Sequence, residues 1–245
     1  LYFSNHIVYN INMEFSITFS KKASDFMKIS ALIAEFNPFH AGHKLLIDHM
    51  RQESDAIIAI MSGNFVQRGE CSIYKKADRC RAALKNGVDL VLELPAVFAL
   101  SSAEGFARGG VKILDACKVV DTLWFGSECG DIDALKTLAD ILNEESPFFR
   151  KELDKKLSLG ASFPSARTFA LSKTGADASV LKSPNNILAV EYIRALKSIH
   201  SDIKPVTIKR IGAGYNEKSC TGEIPSASFV RSLIQNGEDV DKYML

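Results

Sequence analysis

The chain has 245 residues, 47% of them hydrophobic and 24% charged, with a net charge of +1. That length can bury the core of one large α/β domain, or of a domain with an insert. The near-zero balance excludes a global basic field for nucleic acid or anionic lipid, so any RNA contact has to come from a local patch. No apolar run approaches the roughly 20 residues of a membrane-spanning helix, so no membrane partner is expected.

The five cysteines are odd in number and include no C-x-x-C. They argue against a disulfide framework or a structural zinc, and for free thiols in a reducing cytoplasm. Residues 1–26 are expected to stand apart from the fold. LYFSN reads as the remnant of a cleavable tag, and the polar residues after it interrupt any signal-peptide core. Met27 is the expected natural start, with Met13 second, and the domain is expected to run over residues 27–245.

In chain order, Lys28–Glu35 is a short apolar run with β-branched residues and reads as a buried strand, broken by Asn37-Pro38. A helix follows over His43–Arg51. DAIIAIM at 55–61 is a second strand and SGNFVQRG at 62–69 a loop. Residues 75–87 form a helix closed by Asn86-Gly87, and 88–95 a third strand stopped by Pro95. Ser101–Ala116 reads as a helix capped by Ser101 or Ser102, then VVDTLWFG at 119–126 as a fourth strand and Asp131–Asn143 as a helix. From about 147 to 200 the pattern is helical throughout, an insert before a strand at 204–210. A Gly-rich loop and a last helix at 224–237 close the chain. Strands alternating with helices predict an α/β fold: a Rossmann-like parallel sheet of about five strands, with helices on both faces and a helical insert before the last strand.

The first strand leads into Asn37-Pro38-Phe39-His40-Ala41-Gly42-His43. In a parallel α/β sheet, ligands sit where strands end and helices begin, and a helix N-terminus attracts phosphate. Pro38 stiffens the turn and Gly42 removes a Cβ where a ligand would approach. His40 and His43 project to one side of the emerging turn. Phosphate binding, a purely structural pair, and part of a metal site all fit the spacing, although no third metal ligand stands at helpful spacing.

FNPFHAGH resembles the H-x-G-H signature of the nucleotidylyltransferase superfamily, and Ser226-Ala227-Ser228-Phe229-Val230-Arg231 resembles its second motif. AEFNPFHAGH, MSGNFVQRGE, KADRCRAAL, GVDLVLELP, FARGGVKIL, FGSECGD, GASFPSAR and SPNNILAVEYI look like blocks of the bacterial tRNA(Met) cytidine acetate ligase family. The resemblance implies an enzyme that joins acetate to AMP from ATP, releases pyrophosphate, and passes the acetyl group to the wobble cytidine of elongator tRNA(Met). ATP and Mg²⁺ are the implied cofactors, and acetate and tRNA the implied partners.

Carried onto this sequence, the resemblance assigns ATP contacts to the segment Ile33, Ala34, Glu35, Phe36, Asn37, Pro38, Phe39 and Gly42. It assigns further ones to Gly126, Asn185 and Arg210. His40 and His43 would donate to the reacting phosphate, and Ser226, Ser228 and Arg231 would hold the outer phosphates. Asp131 and Glu128 are candidates to assist the metal that the sequence itself does not single out, and no protein metal site is assigned.

Arg68, Lys75, Lys76 and Arg79, followed by Arg81 and Lys85, form a basic run. Such a run is ordinarily a solvated face; in a tRNA-modifying enzyme it is a candidate RNA-contacting surface. Arg150, Lys151, Lys155 and Lys156 are a second candidate, offset by Glu152 and Asp154. Members of the resembled family continue well beyond Leu245, so part of the tRNA surface is expected outside this chain. The alternatives are a nucleotidylyltransferase acting on a small phosphorylated metabolite and a non-catalytic nucleotide- or RNA-binding module.

Overall fold

The computed structural model describes residues 27–210, 226–240 and 243. The tag-like segment 1–26, the Gly-rich loop after residue 210 and the expected helix start at Ile224 lie outside the described residues. Five strands form one parallel sheet: β1 (Ile29–Ala34), β2 (Ala56–Ser62), β3 (Leu90–Leu94), β4 (Thr122–Ser127) and β5 (Lys204–Lys209), in the order β3-β2-β1-β4-β5. Each lies where the apolar runs predict it, within a few residues. The chain runs outward from β1 through β2 to β3 and then crosses back to place β4 and β5 on the other side of β1, so the C-terminal ends of β1 and β4 flank the topological switch point. A crevice opens at such a point in doubly wound sheets.

The helices are α1 (Ala41–Glu53), α2 (Lys76–Lys85), the short α3 (Ala96–Ala99), α4 (Ala103–Cys117), α5 (Ile132–Glu144), α6 (Pro147–Ser158), α7 (Phe163–Lys173), α8 (Pro184–Ser198) and α9 (Ala227–Gln235). The single turn α3 was not expected. It follows Pro95, whose fixed φ suits the residue before a helix. The helical stretch between β4 and β5 is α5 to α8, joined by a 3₁₀ turn at Ala178–Lys182.

Alternation along the strands divides the core. Ile29, Ala31, Ile33, Ile58, Ile60, Leu123 and Phe125 face α4, α5 and α8. Leu32, Ile57, Ala59, Met61 and Trp124 face α1 and α2 with Ile47, Met50, Cys80 and Ala83. Period two on strands and a helical stripe on each cover account for both layers. The strand starts are tied by carboxylates: Asp55 accepts Lys28 N–H, Asp89 accepts Ile57 N–H and Asp121 accepts Ile29 N–H, each at 2.7 Å.

The insert is fastened through one buried acid. Glu191 of α8 is paired with Arg167 of α7 at 2.9 Å and with Arg194 at 2.8 Å, and Arg194 reaches Asn143 and the Leu142 carbonyl at the end of α5. Removing the shared carboxylate would leave two partly buried cations uncompensated. Glu191→Ala is therefore expected to lower unfolding free energy by about 3 kcal/mol, read as a lower urea midpoint at unchanged slope.

Candidate functional site

At the end of β1 the chain turns sharply. Phe36 takes a left-handed φ of 49° and the Asn37-Pro38 peptide is cis. A left-handed φ is uncommon for a bulky residue, and here packing fixes it. The Phe36 ring is fully buried, 5.2 Å from Phe39 and 5.0 Å, edge-on, from His43. Asn37 closes the turn, its side-chain oxygen accepting Ile73 N–H at 2.9 Å.

Helix α1 starts immediately after this turn, with His40 as its cap. Gly42 N–H donates to His40 Nδ1 at 3.0 Å, and His40 N–H donates to His43 Nδ1 at 3.3 Å. The two imidazoles thus perform the reciprocal capping usually done by Ser/Thr and Glu. Each Nδ1 is an acceptor, so in the neutral ring the proton sits on Nε2. The result is a pair of Nε2–H donors, ring centroids 4.0 Å apart, at the positive end of a helix. Burial, first, and then the charges of Arg210 and Arg231 push His40 down to about 4. Burial, followed by His40 and Arg210, pushes His43 well below its usual value.

Around this pair lies a cavity of about 460 Å³, within the size of small-ligand sites. Ile33, Ala34, Glu35, Phe36, Asn37, His40 and His43 line it from β1 and the turn, Gly126 and Glu128 from β4, Asn185 from α8, Arg210 after β5, and Ser226, Ser228 and Arg231 from α9. The structure thus brings most of the expected nucleotide residues to one place. Pro38, Phe39 and Gly42 are not among the lining groups. Phe39 is buried in the core under α1, so it supports the turn from behind.

Each lining group is held. A Cβ on Gly126 would stand 3.0 Å from Arg210 Cγ, so the glycine lets that arginine lie across the end of β4. Ser226 caps α9, accepting Phe229 N–H at 3.2 Å. Arg231 donates to the Asn37 carbonyl at 3.0 Å and to Ser228 at 3.3 Å, joining the second motif to the first. Glu128 and the start of α8 clasp each other. The Glu128 carboxylate accepts Asn185 Nδ2 at 2.6 Å and Asn186 N–H at 2.9 Å, while Asn186 Oδ1 accepts the N–H groups of Glu128 and Cys129. Asp131 is occupied as the cap of α5.

Glu128 lines the cavity and also anchors the start of α8. Asn186, Gln67, Glu70, Phe106, Leu188 and Tyr192 were not singled out from the sequence. Leu188 and Tyr192 had a legible signal, standing three and seven residues after Asn185 on one helix face. Gln67 and Glu70 had none, since a loop carries no period.

The basic run departs from expectation. Arg79 is 2% exposed. Its guanidinium donates to the carbonyls of Glu35, Ser62, Gly63 and Tyr74, tying the ends of β1 and β2 to the loop before α2. It is an internal clamp and presents nothing to RNA. It shares the inward face of α2 with Cys80 and Ala83, which overrides its charge because main-chain oxygens satisfy the guanidinium. Lys76 is partly buried against Glu93, at 2.7 and 2.9 Å. Lys75, Arg81 and Lys85 are exposed, with Arg81 paired to Asp78. The Arg68 side chain lies outside what the structure describes.

The chain matches the model of the HIGH nucleotidyl transferase family over residues 27–244. It is 47% identical over 214 residues to the tRNA(Met) cytidine acetate ligase of Caldanaerobacter subterraneus subsp. tengcongensis, covering 85% of this chain and 53% of that protein. It is 46% identical over 225 residues to the protein of the same description from Thermoanaerobacter sp. (strain X514), covering 89% and 56%. The crystal structure of Thermotoga maritima TmcAL bound with alpha-thio ATP is similar with a TM-score of 0.82 and 40% identity, covering 89% of this chain and 53% of that one. The apo form of that protein gives 0.82 and 42%, covering 86% and 52%. The chain spans about half the length of the curated relatives it matches.

Two outcomes are expected. Below the ordinary histidine value of 6.5 the unfolded chain takes up protons that the folded chain refuses until about 4. Stability therefore falls as pH drops through that window, on the order of 1–2 kcal/mol by about pH 5 from His40 alone; urea unfolding of His40→Asn should show a flatter profile. Arg79→Ala leaves buried carbonyls unpaired and should cost about 3 kcal/mol or more, with Arg79→Lys recovering only part, measured by the same titration.

Proposed function

The chain belongs to the HIGH nucleotidyl transferase family, and from that premise we propose that it carries the ATP-dependent, acetate-activating centre of a tRNA(Met) cytidine acetate ligase. The observation that carries this reading is the pair of Nε2–H donors at the start of α1, set with Arg210 and Arg231 in one cavity at the switch point of the sheet.

In this reading ATP lies with its base toward Asn185, whose Nδ2 is taken by Glu128, leaving the amide oxygen to accept from the adenine amino group. Arg210 and Arg231 supply charge to the triphosphate, and the neutral imidazoles supply directional N–H groups to the α-phosphate. An acetate oxygen attacks the α-phosphorus in line. The bond from that phosphorus to the bridging oxygen breaks, and pyrophosphate leaves with the electron pair. The imidazoles need not titrate; they stabilise charge as it moves onto the phosphate oxygens and the leaving group. The amino nitrogen of the wobble cytidine of elongator tRNA(Met) then attacks the acetyl carbonyl, AMP departs, and the nitrogen loses a proton.

A Mg²⁺ ion bound with the triphosphate would neutralise part of its charge. Among the described residues no three His, Cys, Asp or Glu side chains gather as a metal site. The exposed Lys75, at the cap of α2, and Arg81 and Lys85 on it are the basic groups offered to the tRNA backbone. No helix among the described residues is long and apolar enough to cross a membrane.

Acetate-stimulated exchange of labelled pyrophosphate into ATP is the test. The wild-type chain should support it, and His43→Asn, which keeps an acceptor for the His40 N–H, should slow it about 10²–10³-fold with little change in unfolding midpoint. Near-normal exchange in the variant removes the role of His43. AMP transfer to a phosphorylated metabolite, independent of acetate, would replace the ligase reading with a plain nucleotidylyltransferase. ATP binding without turnover would leave a binding module.

A further inference from the structure

Among the described residues, the carboxylates that line the cavity are those of Glu35, Glu70 and Glu128. Two of them are engaged: Glu35 accepts Gln67 N–H at 2.8 Å, and Glu128 accepts from Asn185 and Asn186. Glu70 is exposed, and among the described residues its side chain takes no hydrogen bond or ion pair. The loop after β2 holds it at the cavity. Phe65 and Cys71 form an antiparallel bridge, and Val66 N–H donates to the Glu70 carbonyl at 3.0 Å. Side chains alternate along such a pair, so Val66 and Glu70 share one face and Phe65 and Cys71 the other. Val66 and Glu70 are cavity-lining residues, and Phe65 and Cys71 are not. Three ties fasten the loop beside the histidine turn: Arg79 to the Gly63 carbonyl, Gln67 N–H to Glu35, and Ile73 N–H to Asn37. The sheet order sets this loop, at the end of β2, on one side of that turn. Gly126 and Glu128, with Asn185 bonded to Glu128, stand on the other side at the end of β4.

We propose that this loop seats the base that accepts the acetyl group, a cytosine presented by RNA, with the Glu70 carboxylate accepting a hydrogen bond from its exocyclic amine and then taking its proton. The inference rests on the acetate-activating reading above and deepens it at the transfer step, where the proton leaving the nitrogen has no assigned acceptor. An unengaged anion does not serve a triphosphate, because like charges side by side oppose binding. It suits a neutral ligand whose edge carries N–H groups. A cytosine edge presents the N4 amine, from which carboxylates accept, next to the N3 acceptor. The side-chain amide of Gln67, which lines the cavity from the same loop, has an N–H to offer N3. Uracil places a carbonyl oxygen where the amine stands, against the carboxylate, so Glu70 discriminates between the two pyrimidines. With the adenine held on the β4 side and the phosphate at the histidines, the β2 side is the space left for the acceptor. As N4 forms its bond to the acetyl carbon, the bond from that carbon to the AMP oxygen breaks. AMP leaves with the electron pair, and Glu70 takes the N4 proton.

The test is Glu70→Gln in the whole chain, with acetate-stimulated pyrophosphate exchange measured without RNA and acetyl transfer measured to a tRNA(Met) transcript. Exchange is expected to stay within about threefold of the wild type while transfer slows about 10²–10⁴-fold. An equal fall in both assays would place Glu70 with ATP or its cation and overturn the proposal, as would normal transfer. Gln67→Ala supplies a second variant: KM for the transcript should rise about tenfold with exchange held, and an unchanged KM counts against the seat. A wild-type chain that forms acetyl-AMP yet transfers to no transcript also overturns the proposal. Wild-type exchange that ignores acetate would instead overturn the acetate-activating reading, and this inference with it.

Discussion

Two main-chain N–H groups at the head of α1 donate to imidazole nitrogens, and the site depends on that exchange. Any helix start has orphan N–H groups to satisfy. Satisfying them with His40 and His43 in place of Ser and Glu fixes both tautomers at once and leaves both Nε2–H groups as donors. In the proposed reading, capping and donation to phosphate are thus one arrangement. The same burial that makes the turn rigid disfavours the charged rings, so in that reading they supply direction and the arginines supply charge.

Those arginines divide the labour. Arg231 ties the last helix to the Asn37 carbonyl, bridging parts of the chain that are far apart in sequence. Arg210 lies over Gly126, where the lack of a side chain admits it. Arg79 works from behind, gathering carbonyls from the ends of β1 and β2. A cation buried among main-chain oxygens stiffens the floor on which the phosphate groups would rest.

The helical insert serves the site through α8. Glu191 anchors that helix to α7 at mid-length, and the Glu128–Asn186 clasp fixes its first turn. Leu188 between these points and Tyr192 just past Glu191 are among the lining residues of the cavity. The insert therefore shapes the ligand space and is more than a cover, because its position is set by hydrogen bonds to the β4 loop.

The sequence by itself determined the strands, the helices between them and the place of the two histidines at the end of the first strand. Apolar period, Pro and Gly punctuation and the His-x-Gly-His spacing are local properties of the chain. It also led to Gly126, Asn185, Arg210 and the Ser226–Arg231 segment through resemblance to a known family. Only the tertiary structure decided which charges turn inward. Arg79 reads as a surface cation until the carbonyls of β1 and β2 are seen around it, and the clasp of Glu128 on the start of α8 shows only once both segments are placed. Glu70 stands out only once the other carboxylates of the cavity are seen to be engaged. Burial and hydrogen-bond satisfaction arise between segments distant in sequence, and no local pattern encodes them.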